Sequence, residues 1–174
     1  MAKVGFTKLG LKVNQEVKNI EFNGQSIEVK QYLPVNEKLE LITNVINSAA
    51  DDNNFVNPVK INVLTTLEIM YAYTNINFTD KQQENIAKLY DLIISSGLAK
   101  EVINAIPENE YHEILSGVKT SVESIYEYRS SALGVLESIS DEYKSTDFDV
   151  SQITEKLSNS EDIALLKEIV NKLG

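Results

Sequence analysis

The chain lacks cysteine and tryptophan, and it carries a single histidine, His112, and a single arginine, Arg129. Without cysteine, disulfides and thiolate metal sites are excluded. Without a basic and aromatic cluster, the sequence does not indicate a stacking platform for single-stranded nucleic acid. No apolar run approaches the roughly 18 residues that cross a bilayer, and Met1–Leu11 lacks the apolar segment of a secretory signal. The sequence therefore predicts a protein of the cytoplasm or of a virion interior.

Catalytic and metal-binding motifs are incomplete in this chain. The run His112-Glu113-Ile114-Leu115-Ser116 begins like a zinc-protease motif but has Ser116 where the second histidine must stand. Glutamates around His112 favour a plain surface ion pair. The alternation from Asp147 to Ser151 resembles the start of a calcium loop, yet Gln152 replaces the turn glycine and Ser158 the final glutamate. We therefore expect no enzyme activity, no metal and no cofactor. A hydrolase or metalloenzyme that depends on His112 ranks third, after the two non-enzymatic functions given at the end of this subsection.

Charge is distributed unevenly along the chain. The 16 basic and 26 acidic residues give a net charge of −10, and residues 101–174 hold 6 of the basic and 15 of the acidic residues. Such a surface repels nucleic acid and anionic membranes, because phosphate binding needs clustered Lys and Arg. We expect no direct nucleic-acid binding and no membrane binding. Three interpretations of the acidic charge stay open: it keeps the protein soluble, it binds a basic protein partner, or it mimics DNA.

The most informative local pattern lies between Val17 and Leu33. Asn23-Gly24 fills both central positions of a type I′ turn, which predicts a β-hairpin. Pairing outward from the turn sets Phe22 opposite Gln25, Ile20 opposite Ile27 and Lys18 opposite Val29. One face then carries four apolar side chains: Ile20, Phe22, Ile27 and Val29. A two-stranded hairpin is not stable alone, so we expect this face to be covered.

The rest of the chain reads as helix. Helix start and stop signals are the Asn36 cap before Leu39, Ile42, Val45 and Ile46, the Asn57-Pro58 start, the Thr79/Gln82 capping box, Gly97 and Pro107. We predict a mainly α fold with a small N-terminal β-hairpin (α+β). Its predicted organisation is an N-terminal arm over residues 1–16 and a single α-rich domain over 17–174 with the hairpin at 17–33, ending in two helices capped by Ser151 and Ser160.

A heptad pattern predicts one long helix near residues 107–143. Its members step alternately by four and three residues: Tyr111, Leu115, Val118, Val122, Ile125, Arg129, Ala132, Leu136, Ile139 and Tyr143. A coiled-coil seam and an internal spine of a helical bundle both fit. The presence of Ala132 and Arg129 favours the internal spine, because a buried arginine needs an acidic partner.

The segment from Val17 to Leu39 resembles the start of small phage assembly proteins, notably the tail assembly chaperones of Gram-positive phages and prophages. The shared features are a short hairpin around Asn-Gly, a linker and a helix that opens with Glu37-Lys38. The resemblance covers about the first 50 residues and does not extend to residues 107–174. It implies an acidic, α-rich protein of the host cytoplasm that holds the tape measure protein before the tail tube polymerises. Other phage structural or accessory proteins fit the same pattern.

These observations together predict a non-enzymatic phage virion assembly or structural interaction protein. We expect a phage structural protein of the tail or head as partner, no small-molecule substrate, and a monomer or weak dimer in isolation. The hairpin, whose edge can add a strand, and the long helix supply the predicted contact residues, namely Ile20, Phe22, Ile27, Val29, Tyr126 and Arg129. The alternative is an acidic phage-encoded inhibitor of a host nucleic-acid enzyme, with the acidic residues between Glu137 and Glu168 as a DNA mimic.

Overall fold

The computed structural model describes residues 3–51, 56–131, 133–136 and 138. The fold is mainly α with one N-terminal hairpin, as predicted. The strands are β1 (Val17–Phe22) and β2 (Gln25–Lys30), and the helices are α1 (Val35–Ala49), α2 (Pro58–Tyr73), α3 (Asp80–Gln83), α4 (Ile86–Ser95), α5 (Leu98–Ala105) and α6 (Glu108–Ser130). The chain divides after Thr120 into two units, Met1–Thr120 and Ser121–Gly174. The sequence-based division at residue 17 stays a prediction.

The hairpin has the predicted register. Phe22 pairs with Gln25, Ile20 with Ile27 and Lys18 with Val29. The turn residues are both left-handed, with φ of 50° at Asn23 and 74° at Gly24, as a type I′ turn requires. Local sequence alone therefore defines this element.

The apolar face of the hairpin contributes to the core of the first unit. Ile27 and Val29 are buried, and Ile20 and Phe22 are half-buried. Helices α1 and α2 pack side by side, and β1 contacts α5. The largest fully buried side chains come from β2, the following linker and four helices: Val29, Leu33, Leu41, Val45, Leu67, Met70, Tyr73, Val102 and Ile114.

Three of the predicted capping signals are confirmed. The side chain of Asn57 accepts hydrogen bonds from the N–H groups of the first turn of α2 at 2.9 and 3.2 Å. Thr79 and Gln82 form a capping box, and Gly97 is left-handed with φ of 81°. The capping box nevertheless begins only the four-residue helix α3. The helix predicted to follow directly is a separate element, α4, because Asn85 caps it anew by accepting from the Lys88 N–H.

The start and the buried face of α1 differ from the prediction. The helix begins at Val35 after Pro34, one residue before the predicted cap Asn36. Its buried positions are Lys38, Leu41, Val45 and Ala49, whereas Leu39 is 58% exposed. The predicted buried face was wrong because the prediction considered only apolar residues. One of the buried positions of α1 is instead occupied by Lys38.

Helix α6 is the longest described helix, and its buried stripe also differs from the heptad. Glu110, Ile114 and Val118 are buried, while Tyr111, Leu115, Val122, Ile125 and Arg129 are half-buried. The stripe begins at a glutamate, so an apolar pattern does not find it. Apart from the buried Val118, the described heptad members on α6 are half-buried, which leaves the choice between coiled-coil seam and internal spine as a prediction.

The described part of the predicted 107–143 helix is interrupted after Ser130. Ser131 lies in a bend, and residues 133–136 are helical again. A Cβ at Gly134 would clash with the Tyr128 carbonyl oxygen, so the close approach of the chain to the end of α6 here requires glycine. Ala132, Ile139 and Tyr143 of the heptad, and the predicted helices capped by Ser151 and Ser160, lie outside the described residues.

Candidate functional site

A buried cluster of charged groups joins the hairpin to the helices. The ammonium of Lys38 donates to Glu110 Oε1 at 3.0 Å and to Glu113 Oε2 at 2.7 Å. Glu110 Oε2 accepts from the Leu33 N–H at 3.2 Å and from the Tyr73 hydroxyl at 3.3 Å. Both Lys38 and Glu110 are buried, while Glu113 is exposed. Each polar group of the cluster thus has a partner, as buried charges require.

The electrostatics of the cluster favour a structural role. Burial lowers the pKa of Lys38, but the two glutamates outweigh it and the net pKa is raised. Burial and the nearby Glu110 carboxylate raise the pKa of Tyr73 well above its usual range. Both groups therefore hold their protons at neutral pH and are unsuited to act as a general base there.

The cluster and its neighbours fix the hairpin on the helices. The Gln31 side-chain amide donates to the carbonyls of Val29 (3.1 Å) and Ala105 (3.0 Å), which ties the end of β2 to the end of α5. Lys30 pairs with Glu37 on α1 at 2.9 Å. The end of β2 is thus held by α1 and α5, and the linker after it by α6; because β1 pairs with β2 along its whole length, β1 presents a pre-organised edge rather than an adaptable loop.

The two edges of the hairpin differ. In the observed register, the backbone N–H and C=O groups of alternate residues point away from the partner strand. These residues are Val17, Asn19 and Glu21 on β1 and Ser26 and Glu28 on β2. On β2, the Glu28 carbonyl accepts from the Asn75 N–H at 3.3 Å, and the Glu28 N–H donates to the Asn75 side chain at 3.1 Å.

On β1, no backbone group within the described ranges pairs with the outer edge, and the two-stranded sheet ends there. The side chains of Val17, Lys18, Asn19 and Glu21 are exposed as well. We call the outward backbone groups of Val17, Asn19 and Glu21 the β1 edge. An open, rigidly held strand edge can add a strand from another chain.

The predicted contact residues fall in two places. Ile20, Phe22, Ile27 and Val29 lie together on the hairpin face that the first unit covers, so the accessible feature of the hairpin is its edge rather than this face. Tyr126 is 40% exposed and Arg129 is half-buried, three residues apart on α6 in the second unit. Their role as partner contacts stays a prediction.

His112 and the remaining carboxylates are the other candidates for chemistry among the described residues. His112 lies on the surface, with Nε2 3.5 Å from Glu108 Oε1, and the two side chains form the ion pair that the sequence favoured when His112 is protonated. Within the described ranges, no group of three or more His, Cys, Asp or Glu side chains could hold a metal ion. No described helix is both long and apolar enough to cross a membrane.

The sequence pointed to neither Lys38 nor Glu110 as buried. Their positions carry one usable signal: Glu110 is four and eight residues before Ile114 and Val118, and Lys38 is three and seven residues before Leu41 and Val45. Comparison with known proteins adds nothing to this site, since no protein family, characterised protein or solved structure matches the chain.

Proposed function

We propose that this protein is a non-enzymatic interaction protein that serves phage virion assembly and binds an extended segment of a phage structural protein at the β1 edge. The observation that carries the proposal is the contrast between the two edges of the hairpin. Asn75 covers the β2 edge at Glu28, whereas the β1 edge is open among the described residues. Strand addition uses such backbone groups for affinity and alternate side chains for specificity.

Two further observations support the proposal. The polar cluster around Lys38 and Glu110 is hydrogen-bonded throughout and buried, which suits a scaffold better than a reaction centre. The resemblance of the first 50 residues to tail assembly chaperones of Gram-positive phages suggests a tail component, with the tape measure protein as the first candidate. The host cytoplasm during assembly, or the virion, is the corresponding location.

The alternative of a DNA-mimicking inhibitor concerns the acidic residues between Glu137 and Glu168. All of these acids lie outside the described residues. No described feature favours it, and it stays a prediction that competition with DNA for a host nuclease, abolished by salt, would test.

The experiment is capture of phage structural proteins from an infected lysate by the tagged full chain and by Asn19→Pro. The N–H of Asn19 points away from β2 in the observed register, so proline removes an edge donor without breaking the hairpin ladder. The matched control is Ser26→Pro, which removes an outward N–H from β2. We expect the wild type and the control to recover an identified tail or head component and Asn19→Pro to lose it.

Equal recovery by Asn19→Pro would refute the edge as binding surface. Recovery of no tail or head component by the wild type would refute the role in virion assembly. Circular dichroism of each variant verifies that the hairpin and helices are retained.

A further inference from the structure

The arm that precedes the hairpin exposes most of its apolar side chains. Residues 3–16 are all exposed. Five large apolar side chains here are 53–76% exposed: Val4, Phe6, Leu9, Leu11 and Val13. Exposed apolar patches on soluble proteins mark interaction sites. The arm therefore has the character of a segment that docks on another surface.

The last part of the arm has two chemically distinct faces. After the left-handed Gly10, Leu11 and Val13 alternate with Lys12 and Asn14. In an extended conformation, successive side chains point to opposite faces, so Leu11 and Val13 share one face and Lys12 and Asn14 the other. This alternation is that of a strand with one apolar and one polar face.

The β1 edge offers a matching pair of faces. Ile20 and Phe22 are half-buried on one face of β1, and Glu21 and Asn19 lie on the other. An antiparallel strand that places Lys12 opposite Glu21 also places Leu11 opposite Phe22 and Val13 opposite Ile20. A shift by one residue would set the leucine against the glutamate, so the pattern selects this register.

The arm cannot make this pairing with its own β1. The register would require the chain to reverse between the adjacent residues Glu16 and Val17. The Glu16 carbonyl instead accepts from the Gln31 N–H at 2.9 Å, which continues the hairpin ladder past Val17. The pairing therefore needs β1 of another molecule.

Charge favours a second copy of this chain as that molecule. Residues 1–16 carry three lysines and one glutamate, whereas the rest of the chain carries 13 basic and 25 acidic residues. A basic arm is attracted to the acidic body of another copy. The register is also symmetric, because the arm of each copy can lie on β1 of the other, which gives a closed two-fold dimer.

We propose that the arms of two copies exchange, with residues 11–14 of each adding a strand to the β1 edge of the other. The proposal rests on the proposed function in that it concerns the same edge, which the exchanged arm covers until the phage partner displaces it. The dimer is weak, since each copy contributes only one short strand.

Sedimentation velocity of the full chain at micromolar concentrations tests the exchange. We expect a reversible dimer. Leu11→Asp with Val13→Asp should weaken its self-association at least about tenfold, because two apolar side chains lose their buried surroundings. The matched control is Val59→Asp, which alters a side chain 72% exposed on α2 and should leave the dimer unchanged.

A charge reversal tests the register itself. Lys12→Glu and Glu21→Lys should each weaken the dimer severalfold through like-charge repulsion, and the two changes in one chain should restore it. Lys100→Glu makes the same change of net charge on α5 and serves as the control. Absence of rescue by the double variant would overturn the pairing of Lys12 with Glu21.

Two other outcomes would overturn the proposal: a wild type that is monomeric throughout, or a dimer that the Leu11→Asp and Val13→Asp changes leave intact. If the wild type is monomeric throughout but captures a phage component that Asn19→Pro loses, arm exchange is refuted and the proposed function stands. If the arms exchange but the wild type captures no phage structural protein, the proposed function is refuted and arm exchange stands.

Discussion

Replacement of Glu110 by alanine tests whether the buried polar cluster holds the hairpin on the helices. The change removes one of the two carboxylates that pair with Lys38. It also removes the acceptor for the Leu33 N–H and the Tyr73 hydroxyl, both of which belong to fully buried residues. Glu113 remains to pair with Lys38, so the lysine keeps a partner.

The expected loss is large. A buried donor left without an acceptor costs about 1–3 kcal/mol, and two are created at Leu33 and Tyr73. Removal of one member of a buried ion pair costs about 3–5 kcal/mol in other proteins. Since Lys38 retains Glu113, we expect the free energy of unfolding to fall by about 3–5 kcal/mol in total, a large part of the roughly 5–15 kcal/mol that stabilises a domain.

Urea unfolding followed by far-ultraviolet circular dichroism measures this loss. The matched control is Glu113→Ala, which removes the other carboxylate from the same lysine but at a side chain 60% exposed. We expect that control to cost less than about 1 kcal/mol. Glu110→Gln, which keeps one acceptor oxygen, should fall between the two and covers the case in which the alanine variant does not fold. Equal losses for Glu110→Ala and Glu113→Ala would show that the buried carboxylate stabilises the fold no more than the exposed one.

Three further outcomes are expected. Because the pKa of Tyr73 is raised in the folded chain, the stability linked to its proton is complete below about pH 10 and is lost as the pH rises; the urea midpoint should therefore fall less steeply above pH 10 in Tyr73→Phe than in the wild type. Gly24→Ala should cost about 1–2 kcal/mol in urea unfolding, because φ is +74° there, whereas Gly5→Ala, at a glycine without positive φ, should cost little. Light scattering at micromolar concentrations should show a weak, reversible dimer; a stable trimer or higher oligomer would instead support the heptad of α6 as an intermolecular seam.

Local signals made the hairpin and the helix ends predictable. The Asn23-Gly24 turn requires two left-handed residues in succession, and the register follows from it without any distant contact. The start of α2 after Asn57 is equally local, because one side chain satisfies the first N–H groups of the helix.

The buried cluster was not predictable in the same way. Lys38 and Glu110 are 72 residues apart in sequence, and each alone reads as a solvated surface charge. Their burial depends on tertiary packing that brings α1, α2 and α6 together around one carboxylate. Leu39 illustrates the converse, since its apolar side chain is exposed where the helical pattern placed it inside.

The difference between the two hairpin edges was likewise beyond the sequence. It depends on Asn75, which follows α2 and meets Glu28 from 47 residues away. Only the folded chain shows that one edge is covered at this point while the β1 edge is open among the described residues.

Amide hydrogen exchange tests the β1 edge most directly. The measurement is made on the Leu11→Asp, Val13→Asp chain, in which the arm no longer competes, before and after addition of the captured phage component. Strand addition protects outward N–H groups and leaves those already paired with β2 unchanged. We expect new protection at Val17, Asn19 and Glu21 and none at Lys18 and Ile20. Binding that leaves the amides of Val17, Asn19 and Glu21 exchanging as before would rule out strand addition at the β1 edge.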